Sequence, residues 1–480
     1  MNVVRRVARN ISYLFAYQAV SRLLGLALNL VLARRLADAG YGRYSLIIVI
    51  VMMAGMAADF GTANILIREV SRRRGESNSL LGATLLIRAA TTVFVTAGVA
   101  AVVLASQIET DFALPLTIAT LAIIPTSLST AVEAALQGYE RMDLSALADV
   151  IFSLVLTTVG ALAVFGGGGV IAMTEVYLAA NVVRFGYSFT IYRRLVKRTD
   201  RGGGAWRINR AGLFGMARES FPVLYWQLVS VAYYKVDVLI LGAFRTEAEV
   251  GWYAAVYKLF EVPVMFGWLA VQSLLPLMSR MFHESKDSLA RLFEKAMKYI
   301  WVAGLGVAIL TAVLARPIVE TLLPAEYEPA INVLMVLGVT LPFMVGCVLF
   351  GNLFISIELQ KRMAKWSLAS LAVNVGLNLI LIPRYGVMGA AATTLCSELF
   401  SFVLFYGFTA HFLGHVRIIE VFGLTSLVAG AVFGAVLLVW SYSVILAAIA
   451  CLVLYPASLI LFRVISQDDL GYFRRLKASE

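Results

Sequence analysis

Charged residues are scarce in this chain of 480 residues: only 14% are Asp, Glu, Lys or Arg, whereas soluble proteins carry about 25%. Apolar residues make up 60%, and apolar runs of span length recur from end to end, which excludes a soluble domain. Cys347, Cys396 and Cys451 are odd in number and far apart, which indicates neither a disulfide framework nor a metal site. The three histidines have no ligand partners at metal spacing. We therefore expect no metal and no cofactor.

Apolar segments long enough to cross the hydrocarbon layer occur fourteen times, since a helix needs roughly 20 apolar residues for about 30 Å. In chain order they lie at approximately 11–34, 43–66, 79–105, 114–137, 144–166, 169–192, 220–243, 250–279, 297–322, 329–357, 363–383, 386–412, 418–440 and 443–465. An even number of spans places both termini on the same side. The sequence therefore predicts an all-α polytopic membrane protein with about 14 transmembrane helices.

Basic residues alternate between the loops that join these segments. With the N-terminus in the cytoplasm, 29 of the 40 Lys and Arg residues fall on the cytoplasmic side, 6 outside and 5 within spans. A bias of this kind sets the orientation of membrane proteins. We therefore expect a multi-pass protein of the cell membrane with both termini inside. We attribute the net charge of +11 to this orientation rather than to nucleic acid.

The longest loop, residues 193–219, is basic, contains three consecutive glycines and divides the chain into two six-span units. Its second part, 206–218, mixes apolar and basic residues, which is typical of a helix in the headgroup layer. We predict an N-terminal lobe at 1–200 and a C-terminal lobe at 201–412 that begins with this interfacial linker. Two appended spans and a cytoplasmic tail complete the chain at 413–480.

An internal repeat supports the two lobes. The first copy contains Leu-Val-Leu-Ala, then Asp-Ala, then Gly42 and Tyr44. The second copy, 209 positions later, contains Leu-Ile-Leu-Gly, then Glu-Ala, then Gly251 and Tyr253. The copies run in parallel, which predicts a pseudo-twofold axis along the membrane normal, a site at the lobe interface and alternating access.

Ionisable residues inside the predicted spans indicate the site, because each costs about 2.5–3.5 kcal/mol in the bilayer core and usually faces a bundle interior or a wet cavity. Arg22 lies near the middle of the first span, and Lys235 and Lys258 lie at a similar depth in the seventh and eighth. Such cations suit an anion, phosphate in particular. The predicted substrate-binding residues are Arg22, Lys235, Lys258, Arg88 and Tyr234.

Several of these residues have a structural alternative. Lys258 and Glu261 lie three positions apart on one helical face and could pair with each other. Arg88 could extend to the cytoplasmic interface. Tyr234 belongs to a group of aromatic residues that could stack on sugars or mark the membrane interface. The candidates for coupling or gating share a carboxylate inside or at the end of a span, and they are Asp237, Glu261, Asp59 and Glu133.

Short motifs along essentially the whole chain resemble those of a known family. The first lobe contains Leu23-Leu24-Gly25, Ala33-Arg34-Arg35-Leu36, Gly40-Tyr41-Gly42 and Asp59-Phe60-Gly61. The second lobe contains Asp237-Val238-Leu239-Ile240-Leu241-Gly242, Gly251-Trp252-Tyr253, Tyr257-Lys258, Asn378-Leu379-Ile380-Leu381-Ile382-Pro383-Arg384-Tyr385-Gly386 and Gly389-Ala390-Ala391. In this order the chain resembles the polysaccharide biosynthesis family of membrane proteins, the Wzx-like oligosaccharide flippases. Their superfamily also contains MATE drug exporters and the lipid II flippase.

The resemblance implies two six-helix lobes around a cationic cavity. The cavity would accept the pyrophosphate and sugars of a polyprenyl-linked oligosaccharide while the polyprenyl tail stays in lipid, and Arg22 and Lys258 occupy spans where related flippases place cavity cations. Alternating access would move the substrate from the cytoplasmic to the outer leaflet for surface polysaccharide or glycan biosynthesis, without enzymatic activity. The implied partners are membrane lipids and the glycosyltransferases and polymerase of the same pathway.

Two other functional classes fit the residues less well. A MATE-like cation-coupled multidrug antiporter, the main alternative, needs cavity carboxylates for a cationic drug, whereas the cavity candidates here are mainly cationic. A membrane glycosyltransferase normally needs a sizeable outer loop with paired acids, and the predicted outer loops are short.

Overall fold

The computed structural model describes residues 2–105, 109–198, 210–414 and 418–464, which form fifteen α-helices and contain no β-strand. The first eight helices are α1 (Asn2–Arg35), α2 (Ala37–Asp59), α3 (Thr62–Arg72), α4 (Ser77–Ala105), α5 (Thr110–Leu121), α6 (Ile123–Gly138), α7 (Met142–Phe165) and α8 (Val170–Arg198). The other seven are α9 (Arg210–Phe244), α10 (Glu247–Glu284), α11 (Lys286–Leu322), α12 (Ala330–Ser356), α13 (Gln360–Leu413), α14 (Ile418–Trp440) and α15 (Val444–Leu461).

The chain divides into two compact units, Met1–Gly251 and Trp252–Glu480. The first unit includes α9, which packs against α2, α3 and α4. In the second unit α11 packs against α12 and against the C-terminal pair α14 and α15. The predicted lobe boundary between residues 200 and 201 lies outside the described residues, and the predicted lobe limits stay predictions.

Eleven helical segments of the described chain are long and apolar enough to cross a membrane. One of them lies within α13, whose 54 residues would extend about 80 Å as one straight helix. Non-helical backbone at Gly386, close behind Pro383, breaks it into the predicted eleventh and twelfth spans. Two further helices, α1 and α8, fall outside the eleven and carry charges within their predicted spans. Counting α13 twice and adding α1 and α8 accounts for the fourteen predicted spans.

The predicted second span, 43–66, is not one helix. α2 ends at Asp59, Phe60 and Gly61 adopt left-handed backbone, and α3 begins at Thr62. Glycine is required at position 61, because a Cβ there would lie 2.6 Å from both the backbone nitrogen of Leu224 and the carbonyl oxygen of Ser220. The close approach of α9 therefore explains the break, which hydropathy alone does not reveal.

The predicted interfacial helix at 206–218 lies only partly within the described residues. Residues 210–218 form the N-terminal part of α9 and continue directly into the predicted seventh span, with Pro222 inside the helix. The glycine-rich loop between α7 and α8 is a turn, with Gly167 in left-handed conformation.

The two repeat copies meet at their glycines. A Cβ on Gly42 would overlap the carbonyl oxygen of Glu247 and lie 2.7 Å from the nitrogen of Gly251. A Cβ on Gly251 would overlap the carbonyl oxygen of Asp38 and lie 3.2 Å from the nitrogen of Gly42. Gly42 and Gly251 are 209 positions apart, as are Asp38 and Glu247, so each contact has a counterpart in the other copy. The contacts between the two copies are therefore reciprocal.

Candidate functional site

Arg22 lies on α1, which packs against α7. The Thr157 hydroxyl of α7 donates a hydrogen bond of 3.2 Å to the carbonyl oxygen of Leu24, two residues further along α1. The Arg22 side chain is exposed and has no hydrogen-bond or ion-pair partner among the described residues of its unit. Since a cation within a span usually faces a wet cavity or an anion, this guanidinium is well placed to bind an anionic ligand.

Lys235 and Asp237 lie on α9 in the same unit as Arg22. Lys235 is half-buried, and Asp237 is buried with one carboxylate oxygen 2.8 Å from the backbone N–H of Val238. The ring of Tyr234 is partly exposed and packs edge-on against Tyr233 with a centroid distance of 5.2 Å. α9 therefore presents a lysine, a buried acid and an exposed aromatic ring within four consecutive positions.

Lys258 and Glu261 lie on α10 in the second unit. The Lys258 ammonium donates a 2.9 Å hydrogen bond to the Glu261 carboxylate, and both side chains stay partly exposed, at 40% and 31%. The pairing of Lys258 with Glu261, which their spacing in the sequence suggested, is therefore present in the structure. Because the pair is open to solvent or ligand, a phosphate can compete with Glu261 for Lys258 at small cost.

Arg88 is enclosed, with 1% of its surface exposed. Its Nε donates to the Thr62 hydroxyl at 2.8 Å, and Nη1 donates at 2.6 Å to both the Ser127 carbonyl oxygen and the Thr130 hydroxyl. Nη2 forms an ion pair with the Asp59 carboxylate. Arg88 thus joins the ends of α2 and α3 to α6, and the structure does not bring it to a surface open to ligand or extend it to the interface.

Glu133, a coupling candidate, is buried in a second charged cluster of the first unit. Arg184 of α8 forms a bidentate pair with Glu133, with Nε to Oε1 at 2.9 Å and Nη2 to Oε2 at 2.6 Å. Nη2 also contacts Asp149 of α7 at 2.5 Å, and the Ser188 hydroxyl donates to Glu133 at 3.0 Å. Neither Arg184 nor Asp149 is among the predicted site residues, although a guanidinium inside the predicted span 169–192 is a signal for such a cluster.

A third group of charges lies at the predicted outer end of α2. Arg43 Nε donates to both carboxylate oxygens of Glu247, at 2.8 and 3.0 Å, directly beside the close approach of Gly42 and Gly251. Nη1 of Arg43 reaches the Asp111 carbonyl oxygen at 3.3 Å. We refer to the Gly42–Gly251 approach together with the Arg43–Glu247 pair as the outer contact. None of these residues was predicted to take part in function.

Within the described ranges, no group of three or more His, Cys, Asp or Glu side chains could hold a metal ion. Two arginines of the spans, Arg88 and Arg184, form ion pairs with Asp59 and Glu133, whereas Arg22 is an exposed cation. Arg and Lys side chains of this kind are chemically suited to an anion such as phosphate.

A family model described as polysaccharide biosynthesis protein matches residues 7–282, more than half of the chain, including Arg22, Lys235 and Lys258. The probable flippase AglR of Haloferax volcanii is 23% identical over 268 residues, which cover 55% of this chain and 54% of the relative. The probable low-salt glycan biosynthesis flippase Agl15 of the same organism is 23% identical over 193 residues, which cover 38% and 40%. The chain thus aligns with about half the length of these relatives, or less.

Solved structures resemble the fold over most of the chain. The lipid II flippase MurJ, in an inward closed conformation, has a TM-score of 0.74 at 14% identity. The alignment covers 94% of this chain and 98% of the MurJ chain. A MATE family multidrug resistance transporter, in an inward-facing conformation, has a TM-score of 0.67 at 15% identity and covers 83% and 95%. The predicted MATE-like fold is confirmed, and the chain is a multi-pass membrane protein.

Proposed function

The chain belongs to the polysaccharide biosynthesis protein family, and from this membership we propose that it flips lipid-linked oligosaccharides across a membrane. The substrate would be an oligosaccharide on a polyprenyl phosphate or pyrophosphate, moved from the cytoplasmic to the outer leaflet. Two relatives whose names include the word flippase support this proposal, as does the chemistry of the span interiors. The protein acts as a transporter and catalyses no covalent reaction.

The environment of Arg22 is the main observation in support of the proposal. Arg22 is a permanently charged group within a span, exposed, and without a partner among the described residues of its unit. Guanidinium donors match the oxygens of phosphate in a forked geometry, so a pyrophosphate is a suitable counter-ion. Lys235 and Lys258 add cations on α9 and α10, and Tyr234 offers a partly exposed ring to a sugar face.

Transport follows an alternating-access cycle in this proposal. The headgroup binds from the cytoplasmic side while the outer contact is closed, and release on the other side requires the outer contact to separate. An inside-negative potential favours outward movement of an anionic headgroup by roughly 2.3 kcal/mol per charge per 100 mV. The potential can therefore drive the step without a coupling ion.

The cellular setting forms part of the same proposal. The protein lies in the cell membrane with both termini in the cytoplasm, as the distribution of basic residues predicts. Its substrate is supplied by glycosyltransferases that build the lipid-linked oligosaccharide, and a polymerase takes up the flipped product. The surrounding lipids accommodate the polyprenyl tail.

Reconstituted flipping tests the proposal. The purified protein is placed in proteoliposomes with a polyprenyl-pyrophosphate-linked oligosaccharide, and the fraction accessible to an added glycosidase is followed over time. Wild-type protein should accelerate flipping. Arg22→Ala should slow it about 10- to 150-fold, since a hydrogen bond to a charged group contributes about 1.5–3 kcal/mol.

Arg316→Ala is the matched control, because Arg316 is an exposed arginine whose pair with Glu320 lies on one helix surface. The control should flip at the wild-type rate. Equal rates for Arg22→Ala and Arg316→Ala, in proteins inserted to the same level, would refute the role of Arg22. Absence of flipping by the wild type on every such substrate would refute the proposed function.

A cation-coupled drug antiporter is the alternative, because a MATE transporter shares the fold. Such a protein needs a carboxylate free to exchange a cationic drug for an ion. Three of the four acids considered for coupling, Asp59, Glu133 and Glu261, are paired with Arg88, Arg184 and Lys258, which favours the flippase. Efflux of a cationic dye by proteoliposomes that do not flip the lipid-linked sugar would favour the antiporter instead.

A further inference from the structure

A cavity of about 940 Å³ opens between α3, α4 and α9 in the first unit, at the predicted cytoplasmic end of these helices. Three apolar side chains of its lining, Ile65, Leu80 and Val223, are buried or half-buried and form its floor. Gly212 and Gly215 form part of the wall on α9, and their missing side chains leave that wall open. None of these residues takes part in the substrate site proposed above.

The rim of the cavity is rich in arginine. Arg68, Arg72 and Arg73 surround one buried carboxylate, Glu69, whose side chain is 10% exposed. Arg68 Nε lies 3.0 Å from Glu69, Arg72 Nη1 lies 3.8 Å away, and Arg73 forms a closer ion pair. One carboxylate therefore pairs with three guanidinium groups. Arg72 has the longest of the three ion-pair distances, and its side chain is 67% exposed.

Two other acids, Glu76 and Glu219, lie on the same rim but are mostly in solvent, at 61% and 53% exposed. Glu76 is 3.5 Å from Arg73, and Glu219 pairs with Arg68. Exposed ion pairs contribute little to stability, since water competes for both partners. An arriving anion can therefore displace Glu219 from Arg68 at small cost, whereas Glu69 stays in place below the rim.

An apolar floor beneath a rim of exposed guanidinium groups matches a molecule with an anionic head and an apolar tail. At the predicted depth of α3, such molecules are the phospholipids of the cytoplasmic leaflet. We propose that this cavity binds an anionic phospholipid, with its phosphodiester on Arg68, Arg72 and Arg73 and the start of an acyl chain on the apolar floor. The site is separate from the transport site and does not depend on the proposed function.

Lipid occupancy is measured by native mass spectrometry of the detergent-solubilised protein after addition of phosphatidylglycerol or phosphatidylcholine. Wild-type protein should retain phosphatidylglycerol in preference to phosphatidylcholine. Arg72→Gln should weaken phosphatidylglycerol binding about five-fold, because one basic residue near a lipid headgroup contributes about that factor. Among the described residues Arg72 makes one ion pair, a distant one, so its replacement should leave the fold intact.

Arg280→Gln is the matched control, because Arg280 is an exposed arginine at the far end of α10 with a single pairing to Glu284. It should retain phosphatidylglycerol as the wild type does. Equal retention by Arg72→Gln, Arg280→Gln and wild type would overturn the proposal. Displacement of the lipid by millimolar inorganic phosphate, or equal binding of water-soluble glycerophosphoglycerol, would also overturn it in favour of a soluble phosphate ligand.

Discussion

The outer contact makes a quantitative prediction for Gly42→Ala. The added methyl group would overlap the carbonyl oxygen of Glu247 and lie 2.7 Å from the nitrogen of Gly251. Both are backbone atoms that cannot rotate away, so α2 and α10 must move apart. Overpacking of this kind costs about 1–3 kcal/mol, and the cost falls only on the conformation in which the contact is closed.

Two other contributions to the free-energy difference between the closed and the separated conformation are smaller or cancel. Alanine stabilises a helix relative to glycine by about 0.5–1 kcal/mol, but α2 is helical in both conformations, so this gain leaves their equilibrium unchanged. The Arg43–Glu247 pair is partly exposed and contributes at most about 1 kcal/mol. Steric overlap therefore decides the outcome, and we expect conformers with a separated outer contact to increase about 5- to 150-fold.

Cysteine accessibility measures this shift. Leu46 lies one turn further along α2, is 8% exposed, and would lie 2.6 Å from a Cβ on Gly242 of α9. In a protein that carries Cys396→Ser, which removes the exposed native cysteine, Leu46→Cys is labelled from outside with a membrane-impermeant maleimide. Added Gly42→Ala should raise the labelling rate in proportion to the open population.

Gly55→Ala is the control, because Gly55 lies on the same helix and a Cβ there meets no atom within 4 Å. It should leave the labelling rate of Leu46→Cys unchanged. If Gly42→Ala and Gly55→Ala give the same rate, the close approach of the two glycines does not hold the outer side closed, and the assignment is refuted.

Two further predictions concern stability. Arg88→Met should cost about 3–5 kcal/mol because it leaves Asp59 charged and unpaired among buried groups, and adding Asp59→Leu should restore most of the loss. Thermal unfolding in detergent measures both, and a double variant as unstable as the single one would contradict the pairing. The hydrogen bond from Arg73 holds the pKa of Glu69 below its ordinary range, so its stabilisation is present at neutral pH and lost as acid protonates the folded protein. The stability difference between wild type and Glu69→Gln should therefore shrink from neutral pH to about pH 3, and a difference that stays constant would contradict this role.

Hydropathy and charge predicted most of the fold. The apolar segments correspond to the helices, with α13 divided near Pro383 and Gly386 where the eleventh predicted span ends and the twelfth begins. The breaks at Gly61 and at Ala122 were not predicted, because both lie inside apolar runs. Short breaks of this kind leave average hydropathy unchanged, and at Gly61 the break arises where the backbone of another helix approaches.

The candidate site was predicted in part. Ionisable residues inside spans are conspicuous in a sequence, so Arg22, Arg88, Lys235 and Lys258 could be named from position alone. Arg184 also lies inside a predicted span, but it was not among the predicted site residues. Which of these cations has a partner could not be derived, since the ion pair of Arg88 joins residues 29 positions apart and that of Arg184 joins residues 51 positions apart.

The sequence by itself determined that the chain crosses the membrane many times, that it contains a parallel repeat, and that cations lie within its spans. These properties depend on composition along the chain, because burial in hydrocarbon requires about 20 apolar residues for each span. Only the tertiary structure decided that Arg88 is enclosed, that Arg22 is exposed, and that Gly42 meets Gly251. Such contacts depend on how each helix is rotated about its axis and packed against its neighbours, which the average hydropathy of a span does not specify.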